Sequence, residues 1–241
     1  MKKIERLLKG RNCIAFLDFE GTQFSHEIIA IGAVLAILDR KHQVKTFKEP
    51  FRIYVKAKNK IGNYVTDLTK ITEEKLKKEG VPFYDALTAL KKYLGLKWKK
   101  CLFVTYGTHD LRMLNQSIAY NFQLPKEFCS QIQHNYVDFA NFLGEFIRDE
   151  KGNPLSLIKT CGLFNVTLME PAHDPKSDAV NLARLYDAFV RKPDIVKDQY
   201  KKAVLYVSHL SEPLRQIVTA LNNGESITPD KFDEFVKEYL K

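Results

Sequence analysis

The sequence predicts an α/β fold: a mixed sheet flanked by helices and followed by a helical C-terminal extension. Three observations carry this expectation. The chain opens with nearly continuous apolar runs, as strands covered on both faces require. After residue 59 the apolar period becomes helical, and a second short apolar run at 101–105 leads through a glycine turn into an amphipathic segment, which makes a strand–turn–helix unit. With 241 residues, 45% hydrophobic and 28% charged, the chain can bury a sizeable core and is neither disordered nor collagen-like.

Taken in order, residues 12–19, 27–38 and 44–55 read as three strands, with turns at Gly21-Thr22 and at 39–42. Thr72 with Lys75, and the apolar positions Phe83, Ala86, Leu87, Leu90 and Leu94, indicate two helices within 59–96. Gly80-Val81-Pro82 separates them and Gly95 stops the second. Residues 101–105 form a short strand, Gly107 a turn, and 109–121 a helix. Two more helices are expected at 137–147 and 154–164, parted by the polar turn 148–153. Asp174 as N-cap and Pro175 at the first helical position open a helix whose apolar side is Val180, Ala183, Leu185, Tyr186 and Phe189, ending near Arg191-Lys192-Pro193. Three helical segments follow in 194–241, broken at Ser211-Glu212-Pro213 and Asn222-Asn223-Gly224.

Charge narrows the range of partners. The formal charge is +9, and residues 40–100 alone hold 17 basic and 6 acidic side chains. A field that local attracts a polyanion, whether nucleic acid, an anionic membrane or an acidic protein. The longest apolar run, 28–38, is too short to span a bilayer core of roughly 30 Å. No small-residue cleavage site follows the basic start, so a cytoplasmic protein is expected. Cysteines 13, 101, 129 and 161 form no CxxC pair and read as reduced packing residues.

Asp18 and Glu20 stand two positions apart at the end of an apolar strand, so both face one side of the sheet. Two carboxylates there either reach solvent or hold something positive between them, and oxygen donors of this kind suit Mg²⁺ or Mn²⁺. Asp110 and Asp178 each lie near a helix start, where a carboxylate also serves the helix dipole. His173 lies on the short segment between Pro171 and Pro175, an ordinary place for a loop histidine. Tyr106 and Trp98 read as packing residues, and His109 is set aside as a ligand because four carboxylates already suffice. Lys56, Lys58 and Lys60 alternate, so a strand there would present them on one face, either as a phosphate track or as a basic edge that blocks aggregation.

DFEGT at 18–22, YGTHDLRML at 106–114 and HDPKSDAVNLARL at 173–185 resemble the three exonuclease motifs of the DEDDh branch of the DnaQ-like 3′→5′ exonuclease superfamily. The resemblance runs from about residue 12 to 190. EIIAIGAV and FYDAL fit it, as does LTKITEEKL, with Lys70 where glycine is usual. The nearest likeness is to the Eri-type RNA exonucleases and KapD-like proteins.

The resemblance implies a ribonuclease-H-like domain over 1–192 and an extension over 193–241. It makes Asp18, Glu20, Asp110 and Asp178 the carboxylates that hold two divalent ions, Mg²⁺ or Mn²⁺, and His173 the general base. Histidine as a residue type accepts a proton near neutral pH. Asp174 would replace Asp178 under a shifted register, but its place before Pro175 argues for a cap. The substrate implied is single-stranded RNA or DNA, or a 3′ overhang, met by Gly21, Thr22 and Phe24 in the turn and by Leu68 and Ile71 as wedges; Gly21, Leu68 and Ile71 also have plain structural readings as turn and core. A polymerase-associated proofreading enzyme would share this site, and the tail reads equally as a dimerisation element of a homodimer, a substrate clamp or a packed extension of the core. A non-catalytic binding module would be expected to have lost one of the five positions, and all five are present.

Overall fold

A computed structural model describes residues 2–206 and 210–241. Strand β1 (Cys13–Gly21) is central. It runs antiparallel to β2 (Ile28–Leu38) from Cys13↔Ile37 to Gly21↔Ile28, with an irregularity at Glu20/Gly21, and parallel to the strand at Leu102–Thr105 through Ile14↔Leu102 to Phe16↔Val104. The far edge of β2 carries β3 (Val44–Phe47) and β4 (Phe51–Tyr54), so Leu102–Thr105 is β5; Tyr136–Asp138, parallel to it, is β6. The sheet order is β3-β2-β1-β5-β6, with β4 also on β2.

Alternation along β1 sorts the core. Cys13, Ala15, Leu17 and Phe19 pack on one face beneath α4 (Phe83–Leu94), α5 (His109–Tyr120) and α6 (Lys126–His134). Ile14 and Phe16 face the other side, against α1 (Lys2–Leu8), α7 (Phe139–Leu143), α8 (Leu157–Leu163) and the long α9 (Pro175–Arg191), whose Tyr186 and Phe189 are fully buried. All four cysteines are free and buried in these two cores. Trp98 packs edge-on against Phe103, and Tyr106 donates its hydroxyl proton to the Leu155 carbonyl.

Several elements differ from expectation. The strand expected over 44–55 is two strands, because the chain leaves the ladder at Lys48-Glu49-Pro50 and proline has no N–H to give it. Between 59 and 96 there are three helices: α2 (Asn63–Thr69), α3 (Glu73–Glu79, capped by the Thr72 hydroxyl on the Lys75 N–H) and α4. Lys70, at the position where the resembling family has glycine, closes α2 with φ 59°, the left-handed region that glycine enters without a Cβ penalty. The helix expected at 137–147 is in fact β6 followed by α7, with Asp138 capping the Asn141 N–H. The tail forms α10 (Pro193–Leu205), α11 (Glu212–Asn222) and α12 (Pro229–Tyr239), and the joint at 207–209 lies outside the described residues. Val196 of α10 enters the main core, while α11 packs on both α10 and α12. No helix among the described residues is long and apolar enough to cross a membrane.

Candidate active site

Asp18 and Glu20 leave β1 on the α9 side, continuing the face of Ile14 and Phe16. What brings α9 to them is a missing side chain. Asp18 pairs with Gly32 of β2, and a Cβ on Gly32 would lie 1.9 Å from the Pro175 carbonyl oxygen. The first turn of α9 therefore rests on bare backbone beside Asp18, and Asp178 follows three residues after Pro175.

Asp110 arrives from the opposite face. Strand β5 pairs with β1 only as far as Phe16, so the edge of β1 beyond it is open; Asp110, in the first turn of α5, fills that edge by accepting the Phe19 N–H at 2.9 Å. The turn before α5 is held by Gly107, whose N–H donates to Asp138 at 2.8 Å and whose φ of 108° suits glycine. Tyr136 donates its hydroxyl proton to the Gly107 carbonyl.

The segment bearing His173 is pinned twice. Asn181 accepts the Met169 N–H at 2.7 Å and donates to the Met169 carbonyl at 3.1 Å. The His173 N–H donates to Asp178 Oδ2 at 3.1 Å, and His173 itself sits at φ 59°. One ligand atom each of Glu20, His173 and Asp178 lie within 4.8 Å of one another. Asp174 occupies the N-cap position but its side chain caps nothing; it pairs instead with Arg52 at 3.0 Å. That pairing leaves Asp178 as the carboxylate turned to the cluster.

Crowding shows in the acidities. Burial, and then the repulsion of Asp178, Asp110 and Asp174, pushes Glu20 up to about 8. Burial raises Asp110 to about 7, although the Phe19 N–H opposes the shift. Asp18 is raised well above the ordinary carboxylate range by burial and by Asp110, Glu20 and Asp178. Asp178 is raised by burial and held back by the His173 N–H. Among the described residues no ion pair reaches any of the four. Clustered oxygen donors that no ion pair neutralises fit hard divalent ions.

The residues expected to meet substrate divide. Phe24 stands 81% exposed at the tip of the β1–β2 turn, and Leu68 is partly exposed on α2. Thr22 is buried; its hydroxyl accepts the Glu27 N–H at 2.9 Å and so closes the turn. Gly21 gives room to Met113, whose sulfur would lie 2.4 Å from a Cβ there, and Ile71 is buried with Ile61 and Leu76. Lys56, Lys58 and Lys60 lie in a loop after β4 rather than on a strand, because the Glu27 carboxylate takes the N–H groups of Lys58 and Asn59. His26 and His109 meet edge to face at 5.1 Å on the rim next to Asp110. Neither His26 nor Arg52 has a signal in the sequence; Gly32, a lone glycine inside an apolar strand, does.

The model of the RNase_T family, described as Exonuclease, matches residues 15–186. No curated protein is similar enough in sequence to match. Among solved structures, the nuclease domain of 3′hExo, a DEDDh family member bound to rAMP, is 20% identical over 77% of this chain and 93% of its own, with a TM-score of 0.61. Cell-death related nuclease 4 is 20% identical, covering 75% of this chain and 64% of that one, TM-score 0.58. Exonuclease I of E. coli in complex with a dT13 oligonucleotide is 17% identical over 86% of this chain and 46% of its own, TM-score 0.56. This chain thus spans less than two thirds of the latter two, and at these identities the likeness is one of fold.

Proposed function

The chain belongs to the RNase_T exonuclease family, a DnaQ-like group with the ribonuclease-H-like fold, and from that premise we propose that it removes nucleotides one at a time from the 3′ end of single-stranded RNA or DNA, or from 3′ overhangs. The observation that carries the reading is the convergence of Asp18, Glu20, Asp110 and Asp178 from one strand and two helices, with no ion pair to any of them among the described residues. These four carboxylates would hold two divalent ions, Mg²⁺ or Mn²⁺. When bound, such ions lower the pKa of an attacking water and stabilise the leaving oxygen.

The protein's own residues do the rest. His173, tethered by its backbone to Asp178, takes the proton as the water oxygen bonds to phosphorus and the bond to the 3′ oxygen breaks, releasing a nucleoside 5′-monophosphate. Exposed Phe24 offers a face for the terminal base, which any base can use. Residues 193–241 are read as an appended helical element, outside the family match that ends at 186.

The test is degradation of matched 5′-labelled RNA and DNA with Mg²⁺, Mn²⁺ or EDTA, beside Asp18→Ala. A metal-dependent ladder shortening from the 3′ end, absent in the variant, is expected. Cleavage that starts internally, or that persists in the variant, contradicts the proposal.

A further inference from the structure

Resting on that nuclease reading, we propose that a groove at the far end of α5 is a second nucleotide subsite, which holds single-stranded nucleic acid several residues upstream of the 3′ end. The groove is about 520 Å³ and is lined by Lys58, Tyr84, Tyr120, Asn121, Phe122 and Gln123, among others. Phe122 is 82% exposed, an unusual place for a phenylalanine ring. Tyr84 is 45% exposed on one side, while its ring is held from behind by Phe128 at 5.7 Å.

Aromatic rings interleaved with a lysine and two amides are what single strands require: flat faces for bases, a cation for phosphate and donors for base edges. A buried apolar peptide would instead call for an unbroken apolar wall. Lys58 also belongs to the segment 40–100 that carries the chain's basic surplus.

The groove is tied to the catalytic rim by a continuous set of contacts. Glu27, which ends the turn after Glu20, accepts the N–H groups of Lys58 and Asn59 at 2.9 and 3.0 Å. The Lys58 ammonium in turn donates to the Tyr120 carbonyl. Ser117 of α5 accepts the Ile28 N–H at 2.8 Å, which fixes the helix against the start of β2. From Asp110 to Tyr120 the helix rises roughly 15 Å. At about 3.4 Å per stacked nucleotide that is roughly four nucleotides, and fewer for a stretched strand.

Uridine and thymidine oligomers of 3 to 12 nucleotides test this, by anisotropy in EDTA and by cleavage kinetics with Mg²⁺. Wild-type affinity should rise once the oligomer is long enough to reach the groove. Phe122→Ala should flatten that rise by about fivefold or more, the lower range for loss of a stacked base. In cleavage the loss should fall on KM for long substrates rather than on kcat. Lys58→Gln should reduce the slope of log affinity against log salt by roughly 0.7 for long oligomers. Length series that superimpose for wild type and both variants, in a protein that does cleave, overturn the subsite and leave the exonuclease standing. If no length is cleaved with any metal, the exonuclease reading falls and takes the subsite with it.

Discussion

Replacing Gly32 by alanine probes the contact that brings α9 to the sheet. The added Cβ would lie 1.9 Å from the Pro175 oxygen, 2.1 Å from its carbonyl carbon and 2.6 Å from the Lys176 nitrogen. All three are backbone atoms, so no side chain can swing aside. Relieving the worst contact to 3.4 Å, where ordinary contact begins, separates helix from strand by roughly 1.5 Å. Forced overpacking costs about 1–3 kcal/mol, and with backbone on both sides the upper end applies. At about 2–4 °C per kcal/mol for a chain of this size, the melting midpoint should fall by roughly 6–12 °C. Asp178 moves with the helix, and a misplacement near 1 Å costs about 10²-fold in rate. Gly162→Ala is the control: it lies in α8 with no atom within 4 Å of its Cβ, and should be neutral or slightly stabilising. Circular dichroism melts and 3′-end trimming rates read both effects. A Gly32→Ala protein that melts and trims like wild type would refute this account of how the site is built.

Two further outcomes follow from the carboxylate cluster. Glu20 sits at about 8 in the folded protein against an ordinary 4.5, so the fold binds this proton more tightly than the unfolded chain does. Its contribution to metal-free stability is therefore fullest at acid pH and is lost as pH climbs from about 4.5 to about 8. Glu20→Gln should raise the stability of the metal-free protein at pH 8.5 by a kcal/mol or a few, the repulsion being shared among four groups, and should do little at pH 4. Melts in EDTA at the two pH values measure it, and a variant less stable than wild type at pH 8.5 counts against the crowding. His173→Ala should keep metal and oligonucleotide binding while losing about 10²–10⁴-fold in turnover, as removal of a general base does. Undiminished turnover in single-turnover kinetics would remove His173 from that role.

What could be read from the sequence depended on whether a residue's surroundings are local. Asp18 and Glu20 betray themselves against an apolar strand, and α9 is announced by Asp174-Pro175 and a clear apolar side. By contrast α2 buries no residue at all, so it carries no periodic signal, and β6 is three residues made a strand only by lying beside β5. The lysines at 56, 58 and 60 alternate as strand residues do, yet alternation means nothing without a neighbouring strand, and Glu27 takes their loop instead. The bond from the Phe19 N–H to Asp110 arises because β5 is shorter than β1, a difference no single segment records.

The same bonds explain how four repelling carboxylates stay together. None is held by attraction to another side chain of the set; each is anchored through backbone. Asp110 hangs on the Phe19 N–H, Asp178 on the His173 N–H, and Asp18 and Glu20 on their places in β1. The sheet and helices beneath, filled by large apolar residues, keep the four groups in place, while burial and mutual repulsion favour their protonated forms until a counterion arrives. Asp178 consequently has two duties that alanine would remove together, since its carboxylate belongs to the cluster and also fixes the backbone of His173. Loss of activity in Asp178→Ala therefore does not by itself identify a ligand. Substitution at His173, which leaves its own N–H and the Asp178 carboxylate in place, separates proton transfer from the positioning of the segment that carries it.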